Sequence, residues 1–348
     1  MWSNPHRPAH PSVGRWLLVV FGAIAIMVMV GGITRLTQSG LSMVTWKPIT
    51  GWLPPLSDSA WQAAFDEYKN FPQYQQVFQD MTLTRFKEIF FWEYVHRVWG
   101  RVIGLLFFVP WLYFVVRRRM NRRFTILTFI AFLLGGLQGL VGWWMVKSGL
   151  VDNPAVSHFR LATHLSLALV CASYVLWLAL MVFPGEQRSK RPRIQRWTIA
   201  FIVLLALQII YGAFMAGTRA GHMYQTFPGF NGVFIPEQSF QMVPGWTNLV
   251  SNVYLINFIH RTLGWVVFFA GLAFAVKSYL TAITASQRTR SALIAGLLIA
   301  QFGLGVMVVL APGVPAILGA AHQIGAFCLL ATSVALLHSF GGKEGNAG

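Results

Sequence analysis

The chain has 348 residues, 55% of them apolar and 11% charged, and its 27 Lys and Arg against 10 Asp and Glu give a net charge of +17. A mean hydropathy of +0.56 excludes an ordinary soluble domain, so the basic excess is read from its placement along a lipid-embedded chain and not as a nucleic-acid footprint. The two cysteines, Cys171 and Cys328, both lie inside apolar runs, where small buried hydrophobes are expected. They leave no room for a loop disulfide, a c-type haem attachment or a cysteine-held iron–sulfur cluster.

A helix crosses the hydrocarbon with about 20 apolar residues. Eight such runs follow one another, at roughly 16–34, 88–116, 124–146, 159–183, 197–217, 252–280, 291–311 and 315–339. The first follows a short arm, 1–15, and has neither a small-residue cleavage site after it nor a long Arg- and Ser-rich stretch before it, so a retained helix is expected. Beyond it, residues 50–87 carry Trp52, Trp61, Phe65, Tyr68, Phe71, Tyr74 and Phe78 among polar residues, which predicts short interfacial helices that roof the first half.

The basic residues fall in alternate loops. Arg117, Arg118, Arg119, Arg122 and Arg123 follow the second run, Arg188, Lys190, Arg191, Arg193 and Arg196 the fourth, and Arg288 and Arg290 the sixth. These loops are expected to face the cytoplasm of a bacterial cell, with both termini on that side of the plasma (inner) membrane and segments 35–87 and 218–251 outside.

The two halves repeat one another. Gly31, Thr37, Gly40, Thr45 and Trp46 match Gly212, Thr218, Gly221, Thr226 and Phe227 at one spacing, Tyr94-Val95-His96-Arg97 with Gly100 matches Phe258-Ile259-His260-Arg261 with Gly264, Gln138 and Gly142 match Gln301 and Gly305, and Ala162 and His164 match Ala320 and His322. The expected fold is therefore an all-α integral membrane protein of eight transmembrane helices, arranged as two tandem pseudo-symmetric four-helix bundles. The halves are 16–183 and 197–340, joined by a basic linker, 184–196, and followed by a tail, 341–348. The paired glycines are read as close-packing positions between helices.

His96, His164, His260 and His322 each fall about seven to nine residues inside their runs, roughly 10–14 Å deep and on one level. An ionisable group there is a functional candidate. One such histidine could simply hydrogen-bond a neighbouring helix. Two facing one another across a bundle supply both axial ligands of a haem iron, and a porphyrin needs no third protein ligand, whereas a lone zinc ion would. Arg35, Arg219, Arg97 and Arg261 are candidate partners for haem propionates, with interfacial snorkelling as the plainer alternative. Glu93, one turn from His96, has Asn257 as its counterpart, and Arg101 has Trp265. The first half thus carries charge that the second lacks, which suits catalysis there, unless Glu93 merely pairs with Arg97. His158 and His222 are read as interfacial, and His6, His10 and His338, on the cytoplasmic side, are given no chemistry.

The run Gly31-Gly32-Ile33-Thr34-Arg35-Leu36-Thr37-Gln38-Ser39-Gly40-Leu41-Ser42, the segment Glu93-Tyr94-Val95-His96-Arg97 and the two later histidine helices together resemble the haem A synthase family over the whole chain. The resemblance implies oxidation of the C8 methyl of haem O to a formyl group by two hydroxylations and loss of water, yielding haem A for terminal oxidases. It implies a haem b cofactor on His260 and His322 in the C-terminal half and the substrate haem in the N-terminal half with Glu93, His96 and His164. Some members have an outer-loop cysteine pair; this chain is similar to the cysteine-free, alphaproteobacterial and mitochondrial-type branch. Haem O synthase, an unidentified electron donor and a second copy of the chain are the candidate partners besides membrane lipid. Two rival readings are a di-haem, quinol-linked cytochrome b that only carries electrons, which would hold haem b alone, and a transporter, which the absence of a Gly/Pro-broken helix pair disfavours.

Overall fold

The computed structural model describes residues 8–46, 50–183 and 192–340. His6, Arg188, Lys190, Arg191 and the expected tail 341–348 lie outside the described residues. Among the described residues the regular elements are helices, eight of them long and apolar enough to cross a membrane: α1 (Pro11–Leu36), α4 (Leu83–Val116), α5 (Arg122–Lys147), α6 (His158–Val182), α7 (Pro192–Thr218), α9 (Val253–Leu280), α10 (Ala285–Leu310) and α11 (Ala316–His338). Between them come α2 (Asp58–Tyr68) and α3 (Pro72–Val77) after α1, and the single turn α8 (Asn248–Ser251) before α9.

Most of the helices begin earlier than their apolar runs because their first turns are polar and capped. Pro11 opens α1, with the amide of Ser12 donating to Nδ1 of His10. Pro192 opens α7 inside the stretch expected as a linker. Thr284 and Gln287 form a reciprocal capping box that starts α10 six residues ahead of its apolar run. The side chains of Thr82, Asn121, Ser157 and Asn252 cap α4, α5, α6 and α9 by accepting from first-turn backbone amides.

Helices α1, α4, α5 and α6 close a ring in which each touches the next, and α7, α9, α10 and α11 close a second. The rings share a seam in which α1 packs on α11, α6 on α7 and α6 on α11, with Val28, Leu169, Leu205, Phe327 and Leu330 in one continuous apolar core. At the loop-bearing end of the seam, Gln38 (φ 58°) and Arg219 (φ 57°) end α1 and α7 in the same left-handed conformation at matched repeat positions. Nη2 of Arg219 donates to Oε1 of Gln38 at 2.8 Å, and Nη2 of Arg35 donates to the carbonyl of its own counterpart, Ala216, at 2.7 Å.

The expected interfacial helices are α2 and α3. Phe65 and Tyr68 of α2 pack on Phe86, Ile89 and Phe90 at the start of α4, with Trp61, Tyr74 and Tyr94 around them. Gln73 donates to the carbonyl of Gln38, Tyr94 to that of Trp52 and Gln76 to that of Asp152, so this segment is tied to the turn after α1, to α4 and to the α5–α6 loop.

Candidate functional site

Each of the four histidines lies against a glycine of the neighbouring helix, and these glycines are the repeat-matched ones. A Cβ on Gly31 of α1 would stand 3.1 Å from Nε2 of His96, and one on Gly212 of α7 would stand 3.2 Å from Cε1 of His260. On Gly142 of α5 and Gly305 of α10 it would stand 2.9 Å and 3.0 Å from Cε1 of His164 and His322. The glycines thus do serve close packing, and what packs on them is an imidazole ring. A ring so confined keeps one orientation, as a metal ligand requires.

Three of the four histidines are also held by their backbone. Nε2 of Gln138 donates to the carbonyl of His164 at 2.9 Å, Gln208 to that of His260 at 3.1 Å and Gln301 to that of His322 at 2.8 Å. The repeat puts Met27 where Gln208 stands, and Met27 meets Gly100 instead. The sequence reading noted Gln138 and Gln301 as a match and missed Gln208, because its partner position holds no glutamine; the constant spacing of the first-helix match is the signal that finds it.

The ring centroids of His260 and His322 are 6.5 Å apart with the planes at 81°. An iron about 2 Å from one nitrogen of each ring needs centroids roughly 6 Å apart, so the pair fits a haem iron between them. Nδ1 of His164, His260 and His322 is buried without a hydrogen-bond partner, as are Nε of Arg35 and Nε and Nη1 of Arg261. Unsatisfied buried nitrogens of this kind are costly and suit a ligand that brings a metal and anionic groups.

The arginines do more than snorkel. Arg97 donates to the carbonyls of Met43 (2.6 Å) and Thr45 (2.8 Å), and Arg261 to those of Thr226 (2.8 Å), Pro228 (3.0 Å) and Gly229 (2.9 Å). Thr45 and Thr226 are repeat partners, so the arginine after each first histidine binds the segment that leaves the preceding helix. Arg35 and Arg219 stand at the seam, as described above.

Glu93 is 3% exposed and both its oxygens are engaged. Oε1 accepts from Arg97 at 2.6 and 3.1 Å, while Oε2 accepts from the hydroxyl of Ser42 and the amide of Met43, each at 2.7 Å. The pairing with Arg97 is therefore present, and Ser42 and Met43 extend it into a clamp on the segment after α1. In the second half Asn257 donates instead, from Nδ2 to the carbonyl of Ala220 at 2.7 Å. Arg101 lies over the Trp52 ring, 5.6 Å from its centroid, while Trp265 stacks on Phe227 at 5.6 Å.

One expectation, for Cys328, needs correction. His158 stands at the first turn of α6, and its Nε2 bonds to the carbonyl of Val250 at 2.8 Å, joining the two rings. His338 is 1% exposed and packs edge-on against Trp177, with ring centroids 4.8 Å apart. Cys171 is buried, but Cys328 faces outward from α11. A helix apolar on every side gives no sequence clue to which face meets lipid, and that is why Cys328 was misplaced. His222 ends a short turn after α7 and His10 caps α1.

The COX15-CtaA family model, described as cytochrome oxidase assembly protein, matches residues 14–334. The chain is 42% identical to the "Heme A synthase" of Parvibaculum lavamentivorans over 94% of each chain. It is 41% identical to that of Nitrosospira multiformis, over 93% of this chain and 92% of the relative, and 42% identical to that of Rhodopseudomonas palustris, over 90% and 85%.

Proposed function

We propose that this chain, which belongs to the COX15-CtaA family of cytochrome oxidase assembly proteins, is a haem A synthase that oxidises the C8 methyl group of haem O to the formyl group of haem A by two successive hydroxylations. The observation that carries the reading is a pair of glycine-seated histidines in each half with, among the described residues, a buried, clamped carboxylate in only one of them.

In this reading His260 and His322 hold haem b, with Arg219 and Arg261 near its propionates, and His96 and His164 position the iron of haem O, with Arg35 and Arg97 near the substrate propionates. Bound haem b would supply one-electron chemistry, relaying electrons from a donor to the first half. The protein's own contribution is orientation: four rings fixed by glycines, three of them with their backbone carbonyls pinned by glutamines. Glu93 supplies negative charge beside the substrate. Because its oxygens are already engaged by Arg97, Ser42 and Met43, its geometry favours a fixed charge that stabilises positive charge developing at the C8 carbon over a mobile proton carrier.

The basic loops support a reading with both termini on the cytoplasmic side of a bacterial plasma membrane and α2 and α3 outside as the roof of the substrate half. The halves 16–183 and 197–340 act as the substrate and cofactor domains. With only Cys171 and Cys328, both within spans, the chain fits the cysteine-free, alphaproteobacterial and mitochondrial-type branch. Haem O synthase as the source of substrate, a membrane electron donor and self-association complete the proposed partners.

The test is to purify the protein from cells supplied with haem O and to identify its haems by acid extraction, chromatography and mass. Haem b together with haem O, a hydroxylated intermediate or haem A is expected. Haem b alone would overturn the synthase reading in favour of the electron carrier, and a folded sample without haem would remove both. Glu93→Gln is expected to bind haem O and fail to convert it; full conversion would end the role given to this carboxylate.

A further inference from the structure

The two halves also differ on the basic-loop side of their histidines, between the second and third helices of each ring. In the second half Phe302 of α10 meets Trp265 and Phe268 of α9, each with ring centroids 4.5 Å apart, and Leu298, one turn away, is 2% exposed. The repeat places Gly139, Arg101, Gly104 and Gly135 at these four positions. A Cβ on Gly104, Gly135 or Gly139 would meet nothing within 4 Å. Helices α4 and α5 pack far less closely than α9 and α10, and are joined toward the basic loops by Phe107, Phe108 and Trp111 against Phe129 and Phe132. Above that joint the first half has an open groove where the second has an aromatic plug. The groove heads at Gly142, one turn from Gly139, where the ring of His164 sits with its Nδ1 buried and unpartnered. Its position beside a ligand-seeking imidazole sets it apart from glycines that merely let two helices approach.

We propose that the α4–α5 groove receives the isoprenoid side chain of the substrate haem, and that Phe268, Phe302 and Leu298 deny the same space in the cofactor half. The inference rests on the haem O reading above. Haem O carries a long farnesyl-derived chain where haem b carries a vinyl group, so a bundle that closes around one macrocycle cannot close around the other without a slot. The eight residues from His96 to Gly104 span about 12 Å of helix, which gives the slot the reach of several isoprene units. An isoprenoid leaving lipid for an apolar groove gains little from the transfer, since both are apolar. The groove therefore acts by admission, and selectivity comes from the filled space in the other half. Opening onto lipid, it also lets the tail enter sideways while the macrocycle takes its place between His96 and His164.

The experiment transfers the plug. Gly139→Phe, alone and with Gly104→Phe, is introduced in the full chain, purified from cells supplied with haem O, and its haems are extracted, separated and identified by mass. Because those positions face open space, the second half should keep its haem b at the wild-type amount, and this reports folding. Haem O and its oxidised products should fall at least tenfold. Wild-type amounts of both in Gly139→Phe would overturn the proposal. Should the plugged variants lose haem b as well, the reciprocal Phe302→Gly decides: the ratio of tailed haem to haem b should rise above that of the wild type, and an unchanged ratio in a haem-loaded sample overturns the proposal. Failure of the underlying reading looks different, because the wild type itself would then carry haem b alone.

Discussion

Replacing Gly305 by alanine adds one carbon 3.0 Å from Cε1 of His322. Carbon atoms in contact settle at about 3.5–4.0 Å, so the imidazole has to retreat by roughly 0.5–1 Å. Its backbone cannot follow freely, because Gln301 holds the His322 carbonyl at 2.8 Å. Site geometry has to be kept within about 0.5 Å, so the movement falls on the iron–nitrogen bond. Overpacking of this size costs about 1–3 kcal/mol, which weakens haem binding by about 5- to 150-fold. The assay is the rate at which purified protein yields haem b to an excess of an apo-haem acceptor, with the absorbance spectrum recording the ligation state. Gly303→Ala is the control: its Cβ meets nothing within 4 Å, and alanine favours the helix by about 1 kcal/mol. Gly305→Ala with a wild-type transfer rate and a six-coordinate spectrum would refute the claim that this glycine makes room for the ligand.

Gln208→Met gives the second half the residue that the first half has, removing the donor to the His260 carbonyl; a net loss of about 0.5–1.5 kcal/mol should speed haem b transfer about two- to tenfold, and an unchanged rate would show the bond to be idle. His158→Ala removes the bond to Val250 across the two rings, worth about 1 kcal/mol, and should lower the melting temperature of the detergent-solubilised protein by about 2 °C. Tyr68 in the roof is pushed above the usual tyrosine value, first by burial and then by the charge of Glu93. The fold favours its neutral form, so its contribution is complete below about pH 10 and is lost as pH rises through the higher folded value. Segment 50–87 should therefore resist protease past pH 10, and Tyr68→Phe should extend that resistance; exposure of the segment at or below pH 10 would count against the buried phenol.

The eight spans were legible because a hydrocarbon layer demands long apolar runs, and the paired histidines because the halves repeat. The helix starts were not, since Pro192 and Ala285 open turns made of polar residues that lie beyond the apolar signal. The seat of each ring was half legible. Gly31, Gly142, Gly212 and Gly305 stood out in the repeat, but helices apolar all round carry no rotational phase, so nothing in the sequence aims a given glycine at a histidine. Glu93 stood out against Asn257, yet its hold on Ser42 and Met43 depends on how the chain turns back after α1, a path fixed by left-handed Gln38 and by the carbonyls that Arg97 collects.

The meeting of Gln38 with Arg219, and of Arg35 with Ala216, has an architectural consequence. Equivalent positions touch one another only on a two-fold axis, so the seam has the form of an isologous dimer interface written within one polypeptide. The contacts are reciprocal but not identical: the first half gives its Arg35 to backbone carbonyls of the second, and the second gives its Arg219 to the side chain of Gln38 in the first. The exchanges of Gln38 for Arg219 and of Arg35 for Ala216 let each guanidinium meet an oxygen of the unlike half. Each molecule is thereby an obligate heterodimer with a fixed one-to-one ratio of its two kinds of bundle, at a separation and orientation that no collision in the membrane has to find.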